Sequence, residues 1–202
     1  MLRITQQNSA AGAKKYFSAA DYLSEQHELS GVYGGEGAKK LGLAGLVVDK
    51  DSFDRLCDNL DPRDGKQLTV RTRADRTVGY DFTFSVPKSV SVRYALTGDE
   101  RILDAFREAV EETMREDAEP LMKTRVRKGG RDEERTTSNM IYARFCHKTA
   151  RPVDGIPDPH LHEHVYVFNA TEDTQERQWK AGQFRELKAS GPLLQALFRV
   201  RL

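Results

Sequence analysis

The 202-residue chain has no apolar run approaching the roughly 18 residues that a membrane-spanning helix needs, so no such span is expected. No signal peptide is expected from its opening residues, and there are only two cysteines, Cys57 and Cys146, without metal-type spacing. That scarcity excludes a disulfide framework and a cysteine-rich zinc ribbon, and it suits a reducing cytoplasm as the expected location. Charge of one sign is also lacking: 32 Lys and Arg against 31 Asp and Glu leave a formal net charge of +1, which by itself announces no nucleic-acid partner. There are no internal repeats and no P-loop. Gly34-Gly35-Glu36-Gly37 has neither the spacing nor the flanking strand of a dinucleotide fingerprint. With 38% hydrophobic residues, what remains is a globular chain of one core or slightly more.

Histidine is scarce as well, but it is concentrated. Three of five histidines fall in Asp158-Pro159-His160-Leu161-His162-Glu163-His164. Alternation with period 2 puts His160, His162 and His164 on one strand face, which Tyr166 and Phe168 continue. Packing gives little reason for such a row, whereas neutral imidazoles are common ligands of transition and zinc-like ions. His147 ends the preceding apolar run Asn139–Cys146, on the face of Ile141, Ala143 and Phe145. A hairpin-type connection through 148–159 would bring it beside the other three.

Along the chain, Ser9 is placed to cap a helix carrying Ala10, Ala13 and Phe17 inward, with Tyr16 beside that stripe. Tyr16, Tyr22 and Tyr33 also fit half-buried packing positions with the hydroxyl in water. Residues 31–45 are rich in glycine and read as loop, and Asp51-Ser52 as the cap of a helix bearing Phe53, Leu56, Cys57 and Leu60. Val78–Val86 reads as a strand with Asp81 set among apolar neighbours, which calls for a cation, a histidine or a protein donor, or for a solvent-facing edge. Helices are expected over 89–96, 99–118 and 191–202, the last ending uncapped as though the chain were cut from something longer. Arms at 121–127 and 135–145 flank Lys128-Gly129-Gly130-Arg131, a hairpin loop with Lys123, Arg125, Arg127, Lys128 and Arg131 on or beside it. Such a ribbon would touch phosphates or enter a groove, or else its charges would merely blunt a sheet edge.

Taken together, Ala143–Arg151, Leu161-His162-Glu163-His164 after Asp158-Pro159, Asp81–Ser91, the Tyr16 region and Gly37–Gly42 resemble the relaxase domain of TraI/TrwC-type (MobF) conjugative relaxases, members of the HUH endonucleases. The resemblance covers nearly the whole chain in the family's order. It implies an α+β fold with a central antiparallel sheet and helices packed mainly on one face. Residues 1–202 would be one relaxase domain that normally continues past Leu202. The implied activity is a metal-dependent, site- and strand-specific DNA nickase and strand transferase that forms a 5′-phosphotyrosyl intermediate.

The family's metal ligands fall on His147, His162 and His164, its neighbouring acid on Asp81, its first nucleophile on Tyr16, and its second tyrosine best on Tyr22. His160-Leu161-His162 is also a His-hydrophobic-His pair, but the Leu-His-x-His frame favours His162 and His164. The cofactor implied is a divalent ion, Mg2+ or Mn2+ first, with Zn2+ or Ni2+ as alternatives. The partners implied are single-stranded DNA and a hairpin at an origin of transfer, a C-terminal helicase domain and conjugation accessory proteins, the chain itself being a monomer. Asp81 would act as base or as orienter of a ligand histidine. A rolling-circle replication initiator, a three-histidine zinc hydrolase and a non-cleaving DNA-binding module are the competing readings.

Overall fold

The computed structural model describes residues 1–18, 31–70, 72–73, 75–152, 154–155 and 157–202, with the side chains of 16–18 outside the description. Its frame is a five-stranded sheet built from β1 (Leu2–Gln7), β2 (Val32–Gly34), β3 (Gly79–Ser85), β6 (Tyr142–Thr149) and β7 (Pro159–Phe168) in the order β1-β3-β7-β6-β2. Every pairing is antiparallel. The 148–158 connection does return β7 beside β6, with His147 opposite His162.

Strand alternation gives the sheet two unlike faces. Phe82, Phe84, Leu161, Val165 and Val167 point to the back, where they pack with residues of three helices: α4 (Lys88–Thr97), α5 (Glu100–Glu112) and α7 (Gly191–Arg201). Leu103, Phe106 and Val110 form the apolar stripe of α5, and Asp99 caps it by accepting from Arg101 N at 3.2 Å. The expected continuous helix to Ala118 changes character: after Glu112 the chain winds as a π-type segment, Thr113–Ala118, in which Thr113 Oγ1 donates back to the Ala109 carbonyl at 2.7 Å.

Among the described residues, helices cover the front face at one end. There α1 (Ala10–Ser18) packs on α3 (Lys50–Cys57), and Phe53 of α3 sets its ring 6.1 Å from Phe145, 5.6 Å from Tyr166 and 5.2 Å from Phe168. Ala13 of α1 is buried in the same cluster. The described helices thus lie mainly on the back.

Four local expectations change. The glycine-rich stretch contains β2 and the short α2 (Glu36–Lys40). Its glycines serve close approach: a Cβ on Gly37 would lie 2.6 Å from the Met140 carbonyl oxygen. The α3 cap is Asp49, which accepts from Ser52 N at 2.8 Å, because the helix starts at Lys50. Tyr33 is only 2% exposed, so its hydroxyl is not in water.

The arm expected over 135–145 is two strands. β4 (Lys123–Lys128) and β5 (Arg131–Thr136) form the ribbon, joined by β10 (Gly182–Gln183) in a separate three-stranded sheet, and the chain then turns before β6. Asn139 holds that corner, donating to the Thr137 and Glu172 carbonyls and accepting from Glu172 N. Patterning did not announce β1, the β8 (Thr171–Asp173) and β9 (Gln178–Lys180) pair, or α6 (Arg185–Ala189). No described helix is long and apolar enough to cross a membrane.

Candidate metal and DNA-cleavage site

The front face of the central three strands carries Asp81, Thr83 and Ser85 on β3, His160, His162 and His164 on β7, and His147 on β6. The register sets Thr83 opposite His164, and Ser85 and His147 opposite His162. The rings of His147, His162 and His164 stand 5.1 to 5.6 Å apart between centroids. His160 stacks on the outer side of His162 at 4.5 Å. His147 and His164 are buried, at 4% and 7% exposure.

Two of the rings have their tautomers fixed. His162 Nδ1 lies 2.8 Å from the His160 carbonyl oxygen, which can only accept, so Nδ1 carries the proton and Nε2 the lone pair. His164 Nδ1 lies 2.8 Å from Asp81 Oδ2 and donates to it, again leaving Nε2 as the ligand nitrogen. Burial, joined by the neighbouring imidazoles, pushes His162 down from 6.5 to about 3, and burial with Lys88 lowers His160, so these two rings are neutral at pH 7. Imidazole nitrogens, one ring being oriented by a buried carboxylate, are the donor chemistry that a divalent ion takes. Among the described residues, no three His, Cys, Asp or Glu side chains are gathered closely enough to hold a metal ion as they stand.

Of the partners that its place in an apolar strand left open, Asp81 meets a histidine. Thr83 was not singled out from the sequence; its Oγ1 lies 3.4 Å from both Asp81 Oδ2 and His164 Nδ1. Period 2 from Asp81 along β3 is the signal that would have found it. Tyr16 belongs to α1, on the histidine side of the sheet, while its side chain lies outside the description. Tyr22 lies outside the described residues altogether.

The ribbon is not gathered to the histidines. It precedes the Tyr142 end of β6, whereas His147 stands five residues along that strand, about 17 Å away at ~3.3 Å per residue. Its charge is also partly neutralised. Lys123 pairs with Glu186 and, at 4.0 Å, with Glu134, and Arg125 lies 3.8 Å from Asp132. Arg127, Lys128 and Arg131 are exposed around the Gly129-Gly130 turn.

Comparison with known proteins gives one consistent set of relatives. The family described as TrwC relaxase matches residues 8–202. The multifunctional conjugation protein TraI of Escherichia coli (strain K12) is 39% identical over 182 residues, which is 89% of this chain and 10% of TraI. The chain therefore spans about a tenth of the length of that relative. Among solved structures, the conjugative relaxase TrwC in complex with oriT DNA, metal-bound, aligns with a TM-score of 0.85 and 28% identity, covering 100% of this chain and 68% of that one. A copper-bound TrwC–oriT complex aligns with a TM-score of 0.84 and 30% identity over 100% and 68%. TrwC with a 27-mer DNA comprising the recognition hairpin and the cleavage site aligns with a TM-score of 0.82 and 29% identity over 100% and 66%.

Proposed function

The chain belongs to the TrwC relaxase family, and on that premise we propose that it nicks one strand of an origin-of-transfer DNA through a tyrosine and holds the cut 5′ end covalently. Tyr16 is the nucleophile. Its phenolic oxygen attacks the scissile phosphorus as its proton leaves, the bond from phosphorus to the 3′ oxygen breaks, and that oxygen takes up a proton to become a free 3′-hydroxyl. One ester replaces another, so the step is nearly isoenergetic and the strand can be rejoined. Tyr22, in the place of a second tyrosine, would serve a later transfer.

His147, His162 and His164 are the side chains that would hold a divalent ion. Such an ion supplies Lewis-acid charge against the non-bridging phosphate oxygens and a template for in-line geometry. Three neutral ligands leave its charge undiminished. Asp81 orients His164, the role its 2.8 Å hydrogen bond supports over that of base. Mg2+ or Mn2+ is the expected ion, with Zn2+ or Ni2+ as alternatives.

The ribbon, at the other end of β6, suits a second contact, with the duplex part of a hairpin, through Arg127, Lys128 and Arg131. A helicase region and conjugation accessory proteins are the further partners proposed for the whole protein, of which this chain would be the monomeric nicking domain.

The observation that carries the reading is the carboxylate-tethered His164 beside His147 and His162, on the sheet face against which α1 is packed. The test uses single-stranded oligonucleotides labelled at either end, with divalent metal. Nicking as proposed leaves the 3′-end label on a protein band that survives denaturation, and releases the 5′-end label as a free strand ending in a 3′-hydroxyl. Release of both labelled fragments, with no covalent band, would point to a water-attacking hydrolase, and no cleavage at all to a binding module.

A further inference from the structure

Glu163 stands between His162 and His164, and the alternation of β7 turns it to the back face, where it is 1% exposed. Its Oε1 accepts from Arg144 Nε. Arg144, its side chain 13% exposed, also donates from Nη1 to Glu111 Oε2 at 2.9 Å and from Nη2 to the Arg107 carbonyl at 2.8 Å. The pair thus ties β7 to β6, the two strands that carry the three histidines, and fastens both to α5. Burying two charges is a poor route to stability, since well-packed apolar side chains commonly do as well; the best-attested use of such a group is to fix registry.

Registry is what this position needs. The β6–β7 ladder runs regularly from Tyr142 opposite Val167 to His147 opposite His162, and then shifts before Thr149 meets Pro159. The histidines therefore lie at the last regular pair before the irregularity, where the backbone ladder constrains them least. A slip of one residue would turn the whole set to the other face. A slip of two would not: it would set His147 opposite His160 or His164 in place of His162, because β7 repeats histidine at every second position. The imidazoles alone scarcely distinguish these registers. Glu163 distinguishes one of them: setting His147 opposite His164 would move Arg144 from Val165 to Val167 and carry the carboxylate away from it, leaving both charges buried apart, whereas the opposite slip would keep the two side chains in reach.

We propose that the Glu163–Arg144 pair is a positioning device that holds His147 opposite His162 against the register that would set it opposite His164, and thereby sets the affinity of the cluster for a divalent ion. The affinity part rests on the metal-site reading above; the register part does not. The double substitution R144L/E163L replaces the charges by apolar volume. It is expected to keep or raise the melting temperature, while the 15N-imidazole spectrum of the apo-protein shows shifted or doubled resonances for the three histidines. The cross-strand contact between His147 and His162 weakens with them, and Ni2+ affinity by calorimetry falls at least about tenfold.

A melting temperature, imidazole spectrum and Ni2+ affinity all like the parent's would overturn the proposal and leave the pair a structural filler. If the parent chain itself fails to bind Ni2+, the metal-site reading fails, while the spectrum still decides the register. Should the double variant not fold, E163Q keeps the side chain's shape and drops its charge; its melting temperature is expected to fall because Arg144 loses its partner, and its imidazole spectrum and Ni2+ affinity decide as above.

Discussion

Glu119 offers a quantitative test of how the histidine strand is anchored. It is 3% exposed, in the short turn after the π-type segment, and its Oε1 accepts from Met140 N at 2.6 Å and from Glu36 N at 2.8 Å. It therefore joins α2 to the residues that lead into β6. Burial pushes its carboxyl up from 4.5 to about 7, against the two backbone N–H groups that favour the ionised form. The folded state thus holds its proton more tightly than the unfolded one. Below pH 4.5 both states are neutral and nothing is lost; between 4.5 and 7 the unfolded chain ionises first and stability falls; above about 7 the full penalty is present. At about 1.4 kcal/mol for each tenfold change in ionisation, that penalty is on the order of 3 kcal/mol.

Glu119→Gln keeps an acceptor for both N–H groups and cannot ionise. Its stability relative to the parent should rise between pH 5 and pH 8, by up to ~3 kcal/mol in urea unfolding. Glu119→Ala should instead lose stability at both pH values, since each buried N–H left unpaired costs about 1–3 kcal/mol. A difference between Glu119→Gln and the parent that does not change with pH would refute the reasoning.

Replacing His147, His162 or His164 by Ala should lower divalent-metal affinity by at least about tenfold, and His160→Ala by less; calorimetry in which His160→Ala abolishes binding and His164→Ala does not would show that the other register holds the ion. Removing Lys128 and Arg131 together should flatten the dependence of log affinity on log salt by roughly one to two units, at about −0.9 per duplex phosphate contact and about −0.7 on single strands, measured by fluorescence anisotropy on cognate and scrambled hairpins. An unchanged slope on both would make the ribbon a charged sheet edge. Gly37→Ala would drive a Cβ to 2.6 Å from the Met140 carbonyl oxygen and should cost about 1–3 kcal/mol in denaturant melts; a cost near zero would mean that α2 lifts away freely.

The alternation of His160, His162 and His164, and the inward face of Ile141, Ala143 and Phe145 ending at His147, are local patterns, and the structure keeps both. The contact that orients His164 is not local: Asp81 lies 83 positions away, and only the β3–β7 register brings it there. Sequence signalled that Asp81 needed a partner, not which one. The glycine-rich stretch misled because glycine serves close packing against Tyr142 and Met140 as readily as it serves loops. Tyr33 reads from the sequence as half-buried with its hydroxyl in water, because local patterning does not show the second layer, with α3, in which it is buried. The ribbon was legible as a hairpin, but its basic count overstated its field, since Glu134, Asp132 and Glu186 answer Lys123 and Arg125 across strands and from α6.

The claim that Tyr16 carries the cut strand is tested most directly by mass spectrometry of the denaturation-resistant adduct, formed with metal on single-stranded origin DNA, in the parent chain and in Tyr16→Phe. Loss of one hydroxyl should leave folding and DNA binding intact and remove the adduct, with the parent's DNA-linked peptide containing Tyr16. An adduct that persists in Tyr16→Phe, or that maps to Tyr22 in the parent, would contradict the assignment of the nucleophile.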